Sequence, residues 1–266
     1  DGMAEFAKRY ESEIGVFQGQ LAKYLLRFRP GPRNAYRTLL NLLLQFGIKP
    51  IFVTTNYELL LDEVIMRSGF GVGYESESVS AFAIPLLKIH GSCHFLPHSP
   101  GWSFQYIHVE GCDTHFEGSI RVARSIKEVL RFIEKETFLA PSLAIYADSK
   151  RVYQCPSAIR HLQESYKKKM STIGRVYVIG LRVNPADVHI WRPLAESDVP
   201  LSWVGFEGNE FLAWVEKTGR ANAKWIGRRF DEVIPIIAED LREFSLADCG
   251  GPDFQTLSGA SLEGAA

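Results

Sequence analysis

Cysteine is scarce, with four in 266 residues. Cys93, Cys112, Cys155 and Cys249 lack the density and spacing of a disulfide framework. Long apolar runs are missing too: none approaches the ~18 residues that a membrane-spanning helix needs. An excess of one charge sign is also absent, since 30 Lys and Arg against 31 Asp and Glu leave a formal charge of −1. That balance argues against non-specific attraction to nucleic acid or membrane as the main activity. No segment reads as a signal peptide and there is no Asn-x-Ser/Thr site, so the expected location is the cytoplasm. What is present is ordinary for a soluble globular protein: 46% hydrophobic and 23% charged residues. The length suits one large α/β domain, alone or with a small insertion.

Apolar spacing predicts a first helix over about Ala4 to Arg29, ended by Pro30-Gly31-Pro32, and a second over Arg33 to Phe46. Ile51 to Thr54 reads as a buried strand, Tyr57 to Arg67 as a helix, Gly69 to Gly73 as a flexible turn, and Leu86 to Ile89 as a short strand. Residues from about 91 to 140 read as a loop-rich insertion or lid with one helix, Val122 to Glu136. Regular alternation resumes with a helix near Ser157 to Met170 and a strand from Arg175 to Gly180. A helix near Pro185 to Glu196, a strand from Leu201 to Phe206 and a last helix over Phe230 to Phe244 follow. Residues 247–266 read as a flexible tail, leaving 1–246 as the folded domain. Strands alternating with helices imply an α/β fold, mostly parallel and Rossmann-like, with helices on both faces.

Two apolar runs stop abruptly in polar residues: Pro50 to Tyr57, carrying Thr54, Thr55 and Asn56, and Leu87 to Ser92, carrying His90. In an open parallel sheet such stops fall at the carboxyl ends of strands, where ligands bind. An amide from one end and an imidazole from the other would then share a crevice. On its own, Thr54-Thr55-Asn56 also fits the N-cap of the following helix, and a lone His90 also fits a structural histidine.

Three blocks in order resemble the sirtuin-like superfamily. Val53-Thr-Thr-Asn-Tyr-Glu58 is similar to its Thr-Gln-Asn-x-Asp block, written Thr-Thr-Asn-Tyr-Asp in its bacterial defence branch. Lys88-Ile-His-Gly-Ser92 is similar to that branch's Lys-Leu-His-Gly-Ser. Val178-Ile-Gly-Leu-Arg182, with Asp187 after it, resembles the late strand ending in Gly-Thr-Ser or Gly-Tyr-Ser and its trailing Asp. The resemblance implies a fold that cleaves the nicotinamide–ribose bond of NAD. Asn56 would orient a water or the ribose, and His90 would accept a proton. It also implies NAD contacts from Thr54, Thr55, Glu58, Gly91, Ser92, Gly180 and Arg182. Glu58 stands where the family has Asp, and Arg182 where it has a small hydroxyl residue. The family's Gly-Ala-Gly-x-Ser signature is absent, and the sequence starts with helix-like residues as though downstream of it.

The activity implied is NAD glycohydrolase, an effector of bacterial antiphage defence working as a homo-oligomer or with a partner defence subunit. A non-catalytic NAD or ADP-ribose module, or an NAD-dependent protein deacylase, are the alternatives. Cys93, His94, His98, Cys112 and His115 have zinc-like spacings, but isolated cysteines more commonly pack as small hydrophobes, and no metal site is expected. Gly69-Phe-Gly-Val-Gly73 follows a helix rather than a strand and is not a phosphate loop. Lys167-Lys-Lys169 fits a solvated helix end, where cations favour the dipole.

Overall fold

A computed structural model of the chain describes residues 13–74, 80–98, 116–136, 139–144 and 152–248. Ile14–Leu25 (α1) and Ala35–Gln45 (α2) precede the first strand, Phe52–Thr54 (β1). Asn34 starts α2 by accepting a hydrogen bond from the Arg37 N–H at 3.3 Å, the usual role of Asn at an N-cap. Leu60–Arg67 (α3), Gly71–Gly73 (β2) and Ala83–Lys88 (β3) follow. Phe95–Pro97 (β4), Ile120–Val122 (β5) and Ile126–Lys135 (α4) lie within the region read as an insertion. The last third alternates: Pro156–Lys169 (α5), Val176–Ile179 (β6), Val188–Glu196 (α6), Leu201–Val204 (β7), Gly208–Thr218 (α7), Ala223–Gly227 (β8) and Phe230–Asp248 (α8).

Two parallel three-stranded sheets, ordered β1-β3-β2 and β6-β7-β8, make the α/β body, and β4 pairs with β5 antiparallel. The fold is therefore α/β and mostly parallel. Helices cover both faces because alternate strand residues point opposite ways. Val178, Leu201 and Trp203 join Ile159, Leu162 and Tyr166 of α5 and Ile190 and Leu194 of α6. Tyr177, Ile179 and Val204 instead meet Leu39 and Leu43 of α2 and Val233, Ile234 and Ile237 of α8. Leu40 of α2 packs with Ile84 and Leu86 of β3, and Leu87 and Ile89 join the α5–α6 core. One helix thus touches both sheets on one face, and one apolar cluster joins them on the other. A separate cluster ties α1 to β4 and α4 through Ala22, Leu26, Leu96, Val129 and Phe132.

Several expectations need correction. Gly71–Gly73 is a strand pairing with Ala83–Pro85, not a flexible turn. The glycines carry no pattern of their own, and β3 supplies the order, beginning with the Gly71 N–H to Phe82 carbonyl bond at 2.8 Å. The helix expected from Tyr57 starts at Leu60, because Asn56 to Leu59 form the loop that leaves β1. The strands β4, β5 and β8 and the helix α7 had no assignment from the sequence. α8 runs to Asp248, two residues into the stretch read as a tail, whose remainder lies outside the described residues. Likewise, α1 is described from Ile14, and the expected helical residues 4–12 lie outside.

Candidate functional site

Adjacent parallel strands in register Thr54↔Lys88 put Asn56 and His90 each two residues beyond the same edge of one sheet. The Ile89 N–H still donates to the Thr54 carbonyl at 3.2 Å, so the two loops leave the sheet side by side. The β6 edge converges there as well. The His90 Nε2 lies 2.7 Å from the Nε2 of His189, ninety-nine positions away at the start of α6. The two rings have centroids 4.9 Å apart. That contact brings the carboxyl ends of both sheets to one place.

α5 fixes both sides of it. Gln163 donates to the Ile89 carbonyl at 3.0 Å, and the Tyr166 hydroxyl donates to the Ile190 carbonyl at 3.2 Å. Trp203 of β7 holds the loop after β6 through its indole N–H, 2.9 Å from the Leu181 carbonyl.

Below this edge runs a chain of buried polar groups. Lys88 Nζ donates to the Glu58 carbonyl at 2.6 Å and pairs with Asp62 at 2.9 Å, both side chains almost wholly buried. Tyr74 donates to the other Asp62 oxygen at 2.6 Å, and its oxygen meets His94 Nε2 at 2.9 Å. His94 Nδ1 lies 2.7 Å from the Ser92 hydroxyl. With Tyr74 committed as donor to Asp62, His94 must carry its proton on Nε2 and accept from Ser92 on Nδ1. That is one neutral tautomer. Burial, chiefly, and the Lys88 charge hold the His94 pKa down to about 3, against the opposing pull of Asp62. The same surroundings push the Cys93 thiol up to about 12, burial being the largest cause.

Each expected site residue now has a place. Thr54 Oγ1 accepts the Asn56 N–H at 3.1 Å, closing a tight turn as β1 ends. The exposed Asn56 donates its side-chain amide to Glu58 Oε1 at 3.2 Å and is within hydrogen-bonding reach of Tyr36. The other Glu58 oxygen accepts the Leu60 N–H at 3.3 Å, so Glu58 both starts α3 and orients Asn56. Thr55 is half-buried beside them.

Gly91 has φ +86°, and a Cβ there would sit 1.9 Å from the Ser142 carbonyl oxygen. Only glycine turns the chain at this point. Ser92 is fully buried, with its hydroxyl also 3.1 Å from the Tyr57 carbonyl. Gly91 and Ser92 therefore build the floor under His90. Gly180 has φ +66° and open space around it, where β6 turns out of its sheet. The exposed Arg182 guanidinium pairs with Glu210 of α7 through two nitrogens, a fork geometry that suits carboxylate or phosphate.

Of the cysteine and histidine set with zinc-like spacing, Cys93 is buried and His94 has both nitrogens engaged within the network. His98 is exposed at the end of β4, and Cys112 and His115 lie outside the described residues.

Sequence reading missed three members of the site. His189 went unremarked, though it stands two residues after the noted Asp187. Lys88 and Asp62 form an ion pair that no linear spacing announces. A concavity of about 630 Å³ lies at the far end of the last sheet, by Met170 and Pro200, and none of these residues lines it.

No family model matches the chain, and no curated protein matches it. Solved structures similar to it include a Sir2 homolog–NAD complex, 12% identical, TM-score 0.48, covering 90% of this chain and 75% of that one. A serine-to-alanine mutant of a Sir2 homologue with ADP-ribose is 13% identical, TM-score 0.45, over 91% of this chain and 78% of that one. A histidine-to-asparagine mutant with ADP-ribose is 13% identical, TM-score 0.44, with the same coverages.

Proposed function

We propose that this chain is an NAD glycohydrolase of sirtuin-like type, with NAD bound where the β1, β3 and β6 edges meet. The observation that carries the reading is the Thr54↔Lys88 register, which delivers Asn56 and His90 from neighbouring strands to one sheet end. The residues there are also those of the three blocks that resemble the sirtuin-like superfamily.

In the reaction, a water oxygen attacks the anomeric carbon of the nicotinamide ribose and the carbon–nitrogen bond breaks. Nicotinamide leaves neutral, and the proton released from water needs a base. Histidine has a pKa suited to that task near neutrality. The His90–His189 contact supports the role, because a proton taken up by the pair can be shared between two nitrogens 2.7 Å apart. Asn56, held by Glu58 through a 3.2 Å bond, presents its carboxamide oxygen to the water or a ribose hydroxyl. In this reading Thr55, Gly180 and Arg182 contact ribose and phosphate, with Arg182 exchanging Glu210 for the ligand. Gly91, Ser92 and Thr54 act by shaping the loops. The unit performing this is the α/β domain through the end of α8 at Asp248, and its setting is bacterial antiphage defence, as a homo-oligomer or with a partner defence subunit.

The test is nicotinamide release from NAD by the purified chain, with Asn56→Ala and His90→Ala in parallel. Release that both substitutions reduce by at least ~100-fold supports the reading, general base catalysis alone contributing roughly 10²–10⁴-fold. A second reading, binding of NAD or ADP-ribose without turnover, is favoured by the burial of His90, which is 4% exposed. Calorimetric binding with no nicotinamide released would establish it in place of the first. Release that requires an acylated peptide would mark a deacylase.

A further inference from the structure

We infer that His90, Asp187 and His189 form a site for one divalent transition-metal ion of the zinc, cobalt or iron(II) class. One ligand atom from each residue lies within 4.8 Å of the other two. The three come from two separate segments, the end of β3 and the start of α6, which meet only because the sheets converge. His90 and Asp187 are buried and His189 is half-buried, so an ion held by them would be largely shielded from solvent.

Asp187 occupies the N-cap position of α6, where a carboxylate ordinarily turns to the helix N–H groups. Here its side chain makes no such capping bond and lies with the imidazoles. Two imidazoles and a carboxylate are the borderline donors that zinc and its neighbours prefer over calcium or magnesium.

The geometry needs little change. Two nitrogens each about 2.1 Å from one ion, at tetrahedral to octahedral angles, stand roughly 3.0–3.4 Å apart. The present 2.7 Å separation opens to that range by a small turn of the half-buried His189 ring. A ring that carries its proton on Nε2 moves it to Nδ1 when the ion takes its place, with no change in charge on either imidazole. The inference does not rest on the NAD reading. An ion on the Nε2 of His90 displaces the proton-accepting role proposed for it, so the metal-loaded and metal-free chains should differ in any nicotinamide release.

The experiment uses the full chain, stripped with chelator and dialysed against Zn²⁺, with bound metal counted by mass spectrometry and Co²⁺ binding followed by visible absorption. One ion per chain is expected, lost in His189→Gln and Asp187→Asn and retained in His161→Gln, an exposed histidine on α5. Melting in chelator shows whether the variants are folded. Zinc-edge X-ray absorption on the wild-type chain requires no variant and should report two imidazoles, oxygen ligands and no sulfur. Absence of binding, binding undiminished in both variants, or a sulfur ligand overturns the inference.

Discussion

Replacing Lys88 by Met tests whether the block around His90 is a buried electrostatic ledge. The substitution keeps the length and apolar stem of the side chain and removes the ammonium. It leaves Asp62, 1% exposed, facing hydrocarbon where a charge stood 2.9 Å away. The Glu58 carbonyl loses its 2.6 Å donor in the same step. Breaking a buried pair from one side costs roughly 3–5 kcal/mol, because the remaining charge is uncompensated. Set against a total stability of about 5–15 kcal/mol, that is a large fraction. The double variant Lys88→Met with Asp62→Asn removes both charges and keeps an acceptor for Tyr74, so it should recover about 2 kcal/mol or more. Urea unfolding of the two variants beside wild type reads both numbers. A cost below about 1 kcal/mol for Lys88→Met, or a double variant no better than the single, would refute the reasoning, since a desolvated carboxylate cannot be left alone so cheaply.

Three further outcomes follow from the same geometry. The His94 pKa is lowered from 6.5 to about 3, so below pH 6.5 the unfolded chain takes up a proton that folded His94 refuses, and stability falls with pH. The loss is about 2 kcal/mol at pH 5, from ~1.36 kcal/mol per unit, and urea titrations at pH 5 and pH 7 should show it in wild type and not in His94→Gln. Gly91→Ala forces a Cβ to within 1.9 Å of the Ser142 oxygen at φ +86°. The left-handed backbone alone costs about 1–2 kcal/mol, and an unchanged thermal melt would contradict the placement. Loss of nicotinamide release in Asn56→Ala should occur without a fall in melting temperature, because the Asn56 side chain is exposed.

The sequence was most legible where periodicity and burial agree. α2, α5, β6, α6 and β7 were all legible from apolar spacing, because each buries one clear face against a neighbour. β2 was not legible, since Gly71 and Gly73 have no side chains to alternate and the strand exists only through β3. α7 and β8 escaped for a related reason. Trp203 stacks on Phe211 of α7 with ring centroids 5.1 Å apart, a contact made by folding a strand against a helix and not by a repeat within either one. At the site, the polar stops after Thr54 and Ile89 were visible as strand ends. The Lys88–Asp62 pair was not, because its partners are twenty-six residues apart and each alone looks like a surface charge.

Two histidines four positions apart, both following β3, show why residue type and spacing reach only so far. His94 meets Ser92 on one nitrogen and Tyr74 on the other, which assigns its tautomer and leaves no lone pair for a ligand. His90 leaves the same strand end but turns to His189 and Asp187, groups carried in by the loop after β6. Both rings are nearly inaccessible, at 5% and 4% exposed, so burial does not separate them. The difference lies in what comes within hydrogen-bonding distance of each ring: the Ser92 and Tyr74 hydroxyls for His94, a second imidazole for His90. A neutral, fully bonded imidazole stabilises a fold, whereas an imidazole beside another imidazole can exchange a proton or hold an ion. The proposed chemistry uses the contact between the β3 and β6 ends, and on that reading a substitution at His189 should alter the behaviour of His90 more than any change at His94 four residues away.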